Sequence, residues 1–103
     1  MDDSNIVKSI IWTLKAEMDL TDVSENIKFY TKSERASQNV IRDILLTIRS
    51  IKYINQYQVD VFLGEPYRRI IVRDYKVVYK KEKDNGILIL AIIPTRKRPK
   101  ESL

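Results

Sequence analysis

Apolar side chains recur along this chain first at helical and then at strand spacing. Ile6 to Leu14, reading IVKSIIWTL, is apolar and rich in β-branched residues, and it predicts a first strand. Thr13 is placed to cap the helix that follows. Ala16, Leu20, Val23, Ile27 and Tyr30 then recur every three or four residues, which makes one apolar stripe of an amphipathic helix. Lys15, Glu17, Asp22, Glu25 and Lys28 occupy the rest of its surface, and Asp19 and Asp22 fall early, where the helix dipole favours anions. The stripe breaks at Thr31-Lys32, and Ser33 is a second cap. The next helix carries Ala36, Val40, Ile41, Ile44, Leu45, Ile48 and Ile51 on one side, with Arg35, Arg42, Asp43 and Arg49 mostly on the other. So short a break predicts an antiparallel helical hairpin whose stripes are core.

Tyr53 to Pro66 follows neither period and predicts an irregular connection. Its Tyr57, Val59, Val61, Phe62 and Leu63 are expected to pack down, and Gly64 and Pro66 punctuate its end. Three strands follow. In Arg68–Arg73, Ile70 and Val72 share one face and Arg69, Ile71 and Arg73 the other. A tight turn is expected at Asp74-Tyr75. In Lys76–Lys81, Val77 and Tyr79 share the core face, opposite Lys76, Val78 and Lys80. Asp84-Asn85-Gly86 is a hairpin signal, with Asn-Gly supplying the positive φ angles of a type I′ turn. Ile87–Ile93 is apolar throughout, as in a central strand covered on both faces.

The predicted class is therefore α+β, in the order β-α-α-β-β-β. A helical hairpin packs on one face of a mainly antiparallel four-stranded sheet, since otherwise neither stripe is buried. Residues 1–103 make one domain, with a basic tail from 94 to 103. The other sheet face keeps Ile71, Val78 and one side of the last strand, bordered by Arg69, Arg73, Lys76, Lys80 and Arg96. A half-apolar face with a basic rim suits a binding surface.

Charge sharpens that reading. The net charge is +5, but residues 1–66 hold 8 Lys/Arg against 10 Asp/Glu, while residues 67–103 hold 11 against 4. All of the excess lies in the strands and tail, which points to an anionic partner. With no Cys and no His, a Cys nucleophile, a Ser-His triad and the usual zinc sites are excluded. No cofactor and no metal are expected. There is no apolar run long enough to span a membrane, and the acidic start MDDSNIVKS predicts no export, so a cytoplasmic location is expected.

The order and spacing of several short motifs resemble the RelE/ParE superfamily of type II toxin–antitoxin toxins. These are Trp12-Thr13, Ala16, Asp19-Leu20, Tyr67-Arg68, Val77-Val78-Tyr79 and Arg96 after the last strand, and together they cover nearly the whole chain. The resemblance implies a bacterial growth inhibitor held inactive by a cognate antitoxin whose acidic and apolar segment covers the basic face. Its ParE-type members inhibit DNA gyrase. Its RelE-type members are ribosome-dependent mRNA endonucleases, which need cations around the scissile phosphate and often a Tyr, His or Glu as acid or base.

Carried over to this chain, the nuclease cations would be Arg68, Lys76 and Arg96 or Lys97. A second Lys expected near Ile70 is missing, and the tail after Pro94 has no Tyr or His. Long helices and a short tail also resemble the ParE side. The expected function is thus a plasmid-stabilisation-type toxin acting on gyrase, with mRNA cleavage on the ribosome as the alternative. The expected antitoxin- or target-binding residues are Arg69, Ile71, Arg73, Lys76, Val78, Lys80, Arg96 and Arg98. Trp12 is expected in the core, and Asp60 and Glu65 in the loop as solvated or locally paired carboxylates.

Overall fold

The computed structural model describes residues 5–95. Strand β1 is Ser9–Trp12, helix α1 is Leu14–Thr31, helix α2 is Glu34–Arg49, and β2, β3 and β4 are Arg68–Val72, Tyr75–Glu82 and Gly86–Pro94. They form one sheet in the order β1-β4-β3-β2. Strand β1 runs parallel to β4, and the other pairs are antiparallel. The predicted order, hairpin and central last strand all hold.

Strand β1 is shorter than Ile6–Leu14 at both ends: Ile6 and Val7 pair with Tyr53 and Lys52 instead of β4, and Thr13 intervenes at the other end. Its Oγ1 accepts the Ala16 amide at 3.0 Å and starts α1, so Leu14 belongs to the helix. The same hydroxyl lies 3.1 Å from the Ile89 carbonyl, which ties the strand-to-helix corner to β4. At the far end, Lys32 takes φ 56° and its amide donates to the Lys28 carbonyl at 2.9 Å, closing the helix. Ser33 then caps α2 through the Ala36 amide. The helices meet at small residues, where the Ser24 and buried Ser37 hydroxyls are 2.8 Å apart.

One cluster holds the fold together. Ala16 and Val23 of α1 and Val40, Ile44 and Ile48 of α2 pack on Ile70, Val72, Val77, Tyr79, Ile87, Ile89 and Ile92. A fully buried aliphatic side chain contributes about 1.5–3 kcal/mol, so Ile44, Ile48, Ile87 and Ile89, none more than 1% exposed, carry much of it. Trp12 packs against this cluster, as expected. Tyr30 does not: it is exposed beside Phe29 at the hairpin tip, so the α1 stripe ends at Ile27.

Both predicted turns shift by one residue. The β2–β3 turn is Arg73-Asp74, with Arg73 at φ 54°, and Tyr75 already pairs with Val72. In the β3–β4 hairpin the positive φ angles fall on Asp84 and Asn85, while Gly86 is extended and opens β4. Glycine fits there for a different reason. A Cβ on Gly86 would stand 2.7 Å from Ser9 Oγ and 3.3 Å from the Lys83 carbonyl, so the Ser9 side chain would have to turn away and the hairpin backbone give slightly.

A bulge in β4 explains its unbroken apolar run. Val78 pairs with Ala91 and Tyr79 with Ile89, leaving Leu90 unpaired. The extra residue shifts the alternation. Ile87, Ile89 and Ile92 therefore reach the helices, while Leu88, Ala91 and Ile93 share the opposite face with their partners on β3.

Candidate binding face and its stapled loop

The sheet face turned away from the helices is built from three cross-strand rows. Register places Ile71, Lys76 and Ile93 in one, Arg69, Val78 and Ala91 in the next, and Lys80, Leu88 and Ile11 in the third. Ile71, Ile93 and Ile11 are exposed. The expected open character holds for Ile71 but not for Val78, which is 2% exposed and forms a floor with Ala91. Val78 supports the face from beneath and cannot itself touch a partner.

The connection from Tyr53 to Pro66 reaches over this face. Val59 bridges to Arg68 beside β2, and the Arg69 amide donates to the Gln58 carbonyl at 3.0 Å, so the outer edge of β2 is already partly paired. The chain then turns back at Asp60, which is fully buried. Its amide donates to the Tyr67 carbonyl and its carbonyl accepts the Gly64 amide, both at 2.8 Å. Its Oδ1 accepts the amides of Phe62 and Leu63 at 2.9 Å each, and Lys76 Nζ stands 2.8 Å from its Oδ2. The Lys76 ammonium and these amides hold the Asp60 carboxyl below its ordinary value of 3.8, against the opposing effect of burial. Gly64 at φ 72° and a cis Glu65–Pro66 peptide complete the turn.

This arrangement corrects the expectation that the loop's apolar residues pack down. Ile54 is buried and Tyr57 packs against the core, but Val61, Phe62 and Leu63 are 74%, 87% and 52% exposed. The amides of Phe62 and Leu63 are spent on Asp60, so their side chains are pushed outward. Phe62 lies with its ring centroid 5.4 Å from Lys76 Nζ.

The expected cations are not brought together. Arg68 shares the helix-side face with Ile70 and Val72, and its Nη1 donates to the Tyr57 carbonyl at 2.6 Å. Lys76 points to the opposite face and into Asp60. Arg73 leaves the open face because it occupies the turn, and its guanidinium clamps Asp43 of α2 at 2.7–2.8 Å. Arg69 and Lys80 remain on the open face, with no carboxylate of the described residues in ion-pair reach. Arg96 and Arg98 lie outside the described residues. Tyr79 is 0% exposed and donates to the Ile54 carbonyl at 3.1 Å, and burial raises its pKa. Glu65 is exposed in the loop. Sequence reading undervalued Asp60, although Asp four residues before Gly and six before Pro is a recognisable turn signal.

A second concavity lies between the helices. It holds about 370 Å³, with Ile41, Leu45 and Leu46 as apolar lining, Arg42 and Arg49 at its edge, and Lys28 ion-paired with Glu34 beside them.

The sequence matches a family model described as the ParE toxin of the type II toxin–antitoxin system, parDE, over residues 10–99. The chain belongs to the ParE toxin family. It is thus a toxin component of a type II toxin–antitoxin system. Its fold is similar to that of a solved structure described as the chromosomal ParDE TA system from P. aeruginosa. The TM-score is 0.72 at 18% identity, over 87% of this chain and 98% of the other. No curated protein matches in sequence. No helix among the described residues is long and apolar enough to cross a membrane.

Proposed function

We propose that this ParE-family toxin arrests growth in the cytoplasm by binding a protein, DNA gyrase, and that it does not cleave mRNA. The observation that carries this reading is the placement of Arg68 and Lys76 on opposite faces of the sheet, each already engaged inside the protein. Nuclease chemistry needs cations converging on one phosphate, within hydrogen-bond reach of an acid or base. The described residues offer no such convergence: of the two phenols on β3, Tyr79 is sealed in the core and Tyr75 is half-buried and packed against it.

A cognate antitoxin with an acidic and apolar segment fits the same chemistry. Arg69, Lys80 and the tail cations would meet its carboxylates, and exposed Ile71 its apolar side chains. The groove between the helices, with Arg42 and Arg49 at its edge beside the Lys28–Glu34 ion pair, offers such a segment a second seat.

The test is induced expression without antitoxin, followed by topoisomer analysis of a reporter plasmid and mapping of mRNA 5′ ends. Loss of negative supercoiling with intact transcripts is expected. Truncated transcripts with unchanged plasmid topology would overturn the proposal.

A further inference from the structure

We propose that the turn Asp60–Gly64 is a pre-ordered apolar finger through which the toxin engages its protein target, and that it enters an apolar cleft rimmed by carboxylates. The inference deepens the reading of a protein-directed toxin. It adds which segment meets the target first.

Three observations carry it. Val61, Phe62 and Leu63 are consecutive and more than half exposed, an arrangement that is costly in water unless something covers it. The finger is also rigidly set. Asp60 Oδ1 accepts the Phe62 and Leu63 amides, its main chain bonds Gly64 and Tyr67, and its Oδ2 anchors the turn to Lys76, so little backbone ordering entropy is lost on docking. Finally, the finger continues into the sheet face. Phe62 lies over Lys76, whose row neighbours Ile71 and Ile93 are themselves exposed.

The charges decide what fits. Lys76, the cation beneath the finger, is neutralised by Asp60, so the centre of the patch is apolar. Arg69 lies one row away, about 7 Å along the strands, and Lys80 one row further. Neither has a carboxylate partner among the described residues. Arg69 is held only by neutral acceptors, the Val59 carbonyl and the Gln58 amide oxygen, so its charge is not cancelled. An apolar centre flanked by cations without carboxylate partners is complementary to an apolar cleft with acidic edges. A nucleic acid fits less well. Phe62 alone of the three can stack on a base, aliphatic Val61 and Leu63 cannot, and the central cation is not available to phosphate.

The test uses the full chain carrying Val61→Ser and Phe62→Ser, which removes exposed side chains and leaves Asp60 intact. Growth arrest on induction, supercoiling by purified gyrase and affinity for the purified antitoxin are measured for wild type and variant. We expect an unchanged melting temperature, a loss of growth arrest of at least tenfold in inducer dose, and antitoxin affinity within threefold of wild type. Lys80→Glu alone should weaken arrest in the same direction. Unaltered arrest by the double variant overturns the inference. So does loss of antitoxin binding with arrest retained, which would assign the finger to the antitoxin. If wild type leaves gyrase untouched while the double variant still loses arrest, gyrase is the wrong target and the finger stands.

Discussion

Lys76 Nζ and Asp60 Oδ2 stand 2.8 Å apart on the sheet face that the helices leave uncovered, with the carboxylate fully buried and the lysine largely so. This pair converts the most central cation of a basic surface into a neutral anchor. It also fixes the loop that carries the protein's most exposed aromatic side chain, Phe62.

Removing one partner of such a pair is far more damaging than replacing both. Asp60→Ala leaves Lys76 uncompensated and frees two loop amides, and it should destabilise the protein by about 3–5 kcal/mol in urea denaturation. Adding Lys76→Met to Asp60→Ala should recover the part of that loss that comes from the unpaired ammonium. A double-mutant cycle showing no coupling would contradict the pairing.

The pair also sets an acid limit. Because the folded protein holds the Asp60 carboxyl below 3.8, its contribution is present above that pH and is lost as pH falls through the folded value. Urea midpoints measured from pH 5 to pH 2 should fall more steeply for wild type than for Asp60→Asn. Parallel slopes would show that Asp60 is not held in its charged form.

Tyr79 separates a structural phenol from a chemical one. Its hydroxyl donates to the Ile54 carbonyl at 3.1 Å inside the core. Tyr79→Phe leaves that carbonyl unpaired and should cost about 1–3 kcal/mol. Growth arrest per folded molecule, measured by titrated expression, should be unchanged. A tenfold loss of arrest at equal folded protein would mean that the phenol takes part in the activity.

The sequence after the last strand is basic, with Arg96, Lys97, Arg98 and Lys100 in five residues. Arg96→Ala with Arg98→Ala should weaken growth arrest several-fold without lowering the melting temperature. Full arrest by the folded double variant would remove the tail from the binding surface.

Most of the fold could be read from the sequence because its signals are local. Thr13 and Ser33 announce two helices by capping, and the spacing from Ala36 to Ile48 fixes the buried side of α2. The candidate site was only half legible, because it depends on contacts between distant segments. No local pattern tells that Asp60 meets Lys76, or that Arg73 reaches Asp43 on α2. The bulge at Leu90 is invisible in a run of uniformly apolar residues, yet it decides which of them face the helices. Gly86 is apparent as a turn residue, but its constraint comes from Ser9 across the sheet.

The most direct test is a supercoiling assay with purified toxin, purified gyrase and relaxed plasmid, run beside a translating ribosome system with labelled mRNA. Concentration-dependent loss of supercoiling with intact mRNA is the predicted result. Cleavage of ribosome-bound mRNA with gyrase unaffected would contradict it.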